Sequence, residues 1–203
     1  MTGLEKPNNE SFENRLSLET VRGMTTLEIG ASGRFIETLE KINSELGFSL
    51  EPREGDNFHI TFITPPESSV IKSLTESQLD KLYDIHQRIL AGEEGIINVT
   101  GLGIIDGSSR TDLREVDKDK KTCFLAVDIP ELARFREECG LPEKDFHITL
   151  GIEVNDIHMK VIGVSEKGKP ILAPIDKKAD PGLSEYNAFL GVVQFEGLSG
   201  QHN

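Results

Sequence analysis

Phe58-His59-Ile60-Thr61-Phe62 and Phe146-His147-Ile148-Thr149-Leu150 are near-copies of one pentapeptide within a chain of 203 residues. Polar and apolar residues alternate in each, the period of a strand with one buried and one open face. Side chains two apart on a strand point the same way, so His59 shares a face with Thr61, and His147 with Thr149. Two such strands meeting at a cleft offer two imidazoles and two hydroxyls. That set suits a phosphate ester: hydroxyls hold phosphoryl oxygens, and imidazoles move protons at either end of an in-line displacement.

One His-x-Thr alone reads as a strand with a polar face. Two are harder to dismiss. If Thr fills roughly 6% of positions, two or more of the five histidines would carry it in about 3% of random orderings. The shared Phe before, Ile between and apolar residue after reduce that further.

The surrounding pattern places both motifs in like positions. Residues 24–29 read as a strand and 32–46 as a helix, with Phe35, Ile36, Leu39, Ile42 and Leu46 at helical spacing and Gly47 as its stop. Residues 48–50 read as a short strand. Pro65-Pro66 ends the first motif strand. Thr75 and Gln78 begin a second helix whose stripe is Leu79, Leu82, Tyr83, His86 and Leu90. His86 on that stripe reads as a core histidine. Residues 96–105 and 122–129 form a long hairpin. Pro130 opens a short helix with Leu132 and Phe135 inward, and the second motif follows. Strand, helix, motif strand thus occurs twice, over residues 24–61 and 122–149.

The paired motifs resemble those of the two-histidine (2H) phosphoesterase superfamily, which includes the 2'-5' RNA ligase-like and cyclic phosphodiesterase proteins. The resemblance covers roughly residues 25–153. It implies an α+β fold: pseudo-symmetric, two-lobed antiparallel sheets with flanking helices and a central cleft. It also implies no cofactor and no metal, with His59 and His147 as the proton-transfer pair and Thr61 and Thr149 as the substrate phosphate ligands. The histidine-triad nucleotide-binding motif does not fit, because each run carries one histidine. The chain divides into a polar N-terminal tail (1–22), a two-lobed core (23–155) and a C-terminal extension (156–203). The extension has strand-like stretches at 160–164, 171–175 and 188–195.

Composition narrows the partners. The net charge of −13 argues against coating duplex DNA, because such binding rests on neutralising many phosphates. A nucleotide or short RNA substrate fits an acidic protein with a local site. No apolar stretch is long enough to span a bilayer, and residues 1–22 lack a secretory signal. Cys123 and Cys139 read as buried thiols of a reducing compartment. The expectation is a cytoplasmic monomer that does not engage membranes.

Several flanking residues stay open to two readings. Asp145 lies on His147's face and would favour its charged form, making His147 the acid; otherwise it is a solvated strand-end carboxylate. Asn57 stands in the same relation to His59. Arg53, Lys144 and Lys160 either add positive charge to the cleft rim or are surface charges. His158, in Asn155-Asp156-Ile157-His158, reads as part of a turn. The reading expected from the sequence is a metal-independent phosphodiesterase acting on a cyclic phosphate or 2'-5' linkage of a nucleotide or RNA end. The competing classes are a non-catalytic nucleotide or RNA-end binding module and a metal-dependent hydrolase. The absence of a compact cluster such as His-Glu-x-x-His weighs against the last.

Overall fold

A computed structural model describes residues 20–21, 24–29, 32–53, 55 and 57–175. The strand-like stretch 188–195 and most of the N-terminal tail lie outside them. The described residues form a six-stranded antiparallel sheet in the order β1-β2-β3-β6-β5-β4, plus a separate two-stranded hairpin, β7-β8. The strands are β1 (Thr20–Val21), β2 (Met24–Glu28), β3 (His59–Ile63), β4 (Asn98–Asp106), β5 (Lys121–Asp128), β6 (Phe146–Glu153), β7 (Met159–Val164) and β8 (Pro170–Pro174). The helices are α1 (Ser32–Leu46), α2 (Glu76–Leu90) and α3 (Pro130–Glu138).

The chain order is a repeat. Edge strand, second strand, helix and motif strand run as β1-β2-α1-β3 and again as β4-β5-α3-β6, with α2 between. The expected α+β fold is present, and its two lobes are the two halves of one continuous sheet. They interlock: α1 of the first half packs on β6 of the second, and α2 packs on β2.

All three helices cover one face. The pattern that makes them amphipathic is what builds the core there. Phe35, Leu39 and Ile42 of α1, Leu82, Ile85 and Ile89 of α2, and Leu132 and Phe135 of α3 meet Leu27, Ile60, Ile148 and Leu150 of the sheet. Fully burying such a side chain contributes about 1.5–3 kcal/mol. Local signals set the helix ends. Gly47 stops α1 at φ 66°, a conformation that costs glycine little. Thr75 caps α2, its hydroxyl accepting from the Gln78 N–H.

Two sequence expectations change. Residues 48–50 form no strand, because the Asn43 side chain takes both backbone groups of Leu50, at 2.8 and 3.0 Å. Tyr83 of α2 is exposed, and Ile85 and Ile89 take the buried stripe with Leu82 and His86. The expected long hairpin (β4-β5) and the strands at 160–164 and 171–175 (β7-β8) are present. Neither cysteine forms a disulfide; Cys123 is buried as expected, and Cys139 is half-buried.

His86 is fully buried, and neither ring nitrogen has a hydrogen-bond partner among the described residues. Burial holds its pKa below the usual 6.5, and the nearby Glu28 backbone and charge offset only part of that. The unfolded chain therefore takes up a proton near pH 6.5 that the folded chain refuses, so this contribution to stability is lost as pH falls below 6.5. Denaturant titrations should show wild-type stability dropping as pH falls below about 6.5, with His86→Leu removing that component. Parallel pH slopes for the two proteins would contradict a neutral buried imidazole.

Candidate active site

The face opposite the helices carries the motif residues. β3 and β6 are adjacent, antiparallel and paired at Ile60↔Ile148. Both isoleucines point into the helical core and are almost fully buried. Their neighbours His59, Thr61, His147 and Thr149 therefore all emerge on the other face, each half-buried. Continuing the antiparallel register from Ile60↔Ile148 sets His59 across from Thr149, and Thr61 across from His147. Each imidazole thus faces the hydroxyl of the other motif, and the two imidazoles lie on a diagonal. Diagonal neighbours of an antiparallel pair sit about 7–8 Å apart, enough for one phosphoryl group between the rings.

A cleft of about 540 Å³ opens over this quartet, within the usual size for a small-molecule site. Arg53 and Lys144 line it, as does Asp145. Lys160 is not among its lining residues. His158, read from sequence as part of a turn, also lines the cleft, because the chain leaving β6 folds back over the open face. This return is anchored by Ile157, whose N–H donates to Thr122 Oγ1 at 2.9 Å. Ile157 and Ile175 then pack with Phe124 and Ala126 in a small second core on the histidine side.

Phe124 supports His147. Its ring meets the imidazole edge-on, with centroids 6.3 Å apart. The ring can lie flat because its cross-strand partner is Gly103, where an added Cβ would fall 2.3 Å from the ring.

A buried arginine fastens the two motif strands beyond their pairing. Arg136 of α3 is only 2% exposed. It donates to the Phe62 carbonyl at the end of β3, to the Pro142 carbonyl on the approach to β6, and to Glu67 at 2.7 Å. Burial would raise the Glu67 carboxyl, but hydrogen bonds from Arg136 and from the Thr64 backbone and hydroxyl outweigh it and hold the pKa at about 2. The sequence signal for Arg136 was present but unread: it follows Leu132 and Phe135 on their buried stripe. Asp156, within the turn-like Asn155-Asp156-Ile157-His158 segment, carries no comparable sequence signal.

Among the described residues, no group of three or more His, Cys, Asp or Glu side chains is placed to hold a metal ion. No helix there is long and apolar enough to cross a membrane.

A repeated β-β-α-β unit with two central His-x-Thr strands over one cleft defines a two-histidine phosphoesterase architecture. The family model of the Swiss Army Knife 2H phosphoesterase domain matches residues 29–158, more than half of the chain. The protein belongs to that family, and its broad activity class is phosphoester cleavage. No curated protein and no solved structure matches the chain.

Removing Arg136 would strand the Glu67 carboxylate and two carbonyls. Arg136→Met should cost about 3–5 kcal/mol in urea unfolding, the usual loss on breaking a buried pair. Adding Glu67→Gln should recover part of that loss. A cost below about 1 kcal/mol would mark the contact as an ordinary surface pair.

Proposed function

We propose that the protein is a metal-independent phosphodiesterase acting on a cyclic phosphate or a 2'-5' linkage of a nucleotide or short RNA end. The observation that carries this reading is the single face holding His59, Thr61, His147 and Thr149 across one strand pair.

In-line displacement at a phosphodiester needs two proton transfers on opposite sides of phosphorus. A neutral imidazole takes the proton from the attacking water or hydroxyl. A protonated imidazole gives one to the leaving oxygen. An ordinary imidazole titrates near 6.5, so both forms coexist near neutrality. The diagonal placement of His59 and His147 supports this reading, since one ring is needed at each end of that line. Thr61 and Thr149 flank the space between and offer hydroxyls to the phosphoryl oxygens.

Charge neutralisation often comes from a metal. Here the imidazolium, the hydroxyls, Arg53 and Lys144 stand around the phosphate's position. That suits a strained cyclic ester, or a diester with a neighbouring hydroxyl, better than an unactivated monoester. A net charge of −13 with cationic side chains in a nucleotide-sized cleft favours small nucleotides and short ends over long polymers.

The test is turnover by chelator-treated protein on a panel of 2',3'-cyclic nucleotides, small cyclic nucleotides, 2'-5' and 3'-5' oligonucleotides, and a phosphomonoester. Turnover on a cyclic or 2'-5' substrate without added metal is expected, with poor phosphatase activity. His59→Ala and His147→Ala should each lower it by about 10² to 10⁴. The double variant should lose less than the product of the two, because both groups serve one step. Full activity in either single variant would refute the assignment. Activity restored to chelated protein only by zinc, manganese or magnesium would make it a metal hydrolase, and tight binding without turnover would make it a binding module.

A further inference from the structure

Asp156 sits in the return between β6 and the hairpin, its side chain only 4% exposed. Three groups from three parts of the chain converge on its Oδ2. Arg53 Nη1 comes from the loop before β3, at 3.3 Å. Thr149 Oγ1 comes from the second motif, at 3.4 Å. His158 Nε2 comes from the residue before β7, at 3.4 Å. Arg53, Thr149 and His158 all line the cleft that holds His59 and His147.

A buried carboxylate is costly unless cations and donors compensate it. Here the three groups on Oδ2 all line the cleft. The contacts are long for hydrogen bonds. Such spacing is common in ligand-free sites, where catalytic contacts tighten when substrate enters.

We propose that Asp156 is a positioning residue, aiming the Arg53 guanidinium at the substrate phosphate. This rests on the reading of His59 and His147 as the proton-transfer pair. A guanidinium is a rigid planar fork, so a carboxylate holding one nitrogen fixes the orientation of all its donors. Without that contact the long side chain loses a restraint, and ordering it on the substrate costs more entropy. Asp156 also breaks the two-fold symmetry of the motifs. The Thr149 end of the cleft has a carboxylate-held arginine beside it, so the two ends of a bound diester meet different surroundings.

Steady-state kinetics on uridine 2',3'-cyclic phosphate test this with Asp156→Ala, Asp156→Asn, Arg53→Met and the Asp156→Ala/Arg53→Met double variant. Asp156→Ala should lower kcat by about 10- to 100-fold, the scale of a small misplacement, with a smaller change in KM. Asp156→Asn keeps an acceptor and should recover part of the loss. The double variant should be little worse than the poorer single variant, because both residues act through one contact. A wild-type kcat in Asp156→Ala, or single effects that multiply in the double variant, would overturn the proposal. If Asp156→Ala fails to fold, the Asp156→Asn/Arg53→Met pair decides it. Non-multiplicative losses support the shared anchor and multiplicative ones overturn it. His59→Ala and His147→Ala run alongside. If they keep turnover, the proton-transfer reading itself falls. If they lose it while Asp156→Ala does not, only the positioning role is removed.

Discussion

The antiparallel pairing of β3 with β6 at Ile60↔Ile148 is the constraint on which the rest of the molecule depends. It joins the two halves of the sheet and brings the two motifs together. Strand side chains alternate with period two, so a slip of one residue would turn a motif's histidine and threonine into the helical core and its isoleucine out to solvent. Burial of both isoleucines, with Phe62, Phe146 and Leu150, makes that slip expensive. The apolar residues of the motifs thus fix the polar ones in place. Arg136 adds a second tie, gripping the end of β3 and the approach to β6 from α3.

The two faces of the sheet divide the work. One is closed by three helices and supplies most of the apolar burial. The other carries polar side chains and a smaller apolar cluster beside them, where the chain returns through Ile157 and the hairpin. The hairpin itself lies beyond the segment that the family model matches, yet Met159 and Pro174 line the cleft. The second face thus joins the repeated core to a feature of this chain. The packing of Phe124 over Gly103 and against His147 shows the same economy: a missing side chain on β4 makes room for the ring that sets an imidazole.

Much of this was legible in the sequence because it rests on local period. The alternation of the motif strands, the stripe of α1, the cap at Thr75 and the duplicated strand-helix-strand order all come from residues near each other in the chain. The parts that were not legible depend on side-chain partners that no local period announces. Residues 48–50 have strand composition, but Asn43 captures Leu50's backbone groups across the end of α1. His158 follows a turn-like segment, and only the fold of the return shows that it reaches the cleft. Arg136 looks like a surface charge until Glu67 and the Phe62 carbonyl, both far from it in sequence, and the Pro142 carbonyl surround it. Asp156 gains meaning only when Arg53 and Thr149 meet it. A carboxylate in a polar turn carries no sequence mark of such a meeting.

The central claim is that two imidazoles on one sheet face share the proton traffic of one displacement. Its most direct test is the pH dependence of kcat/KM on a 2',3'-cyclic nucleotide for the wild type, His59→Ala and His147→Ala. A bell for the wild type, with the acidic limb lost in one variant and the basic limb in the other, is the expected result. A bell that keeps both limbs in both variants would show that the protons are moved by other groups, and would contradict the claim.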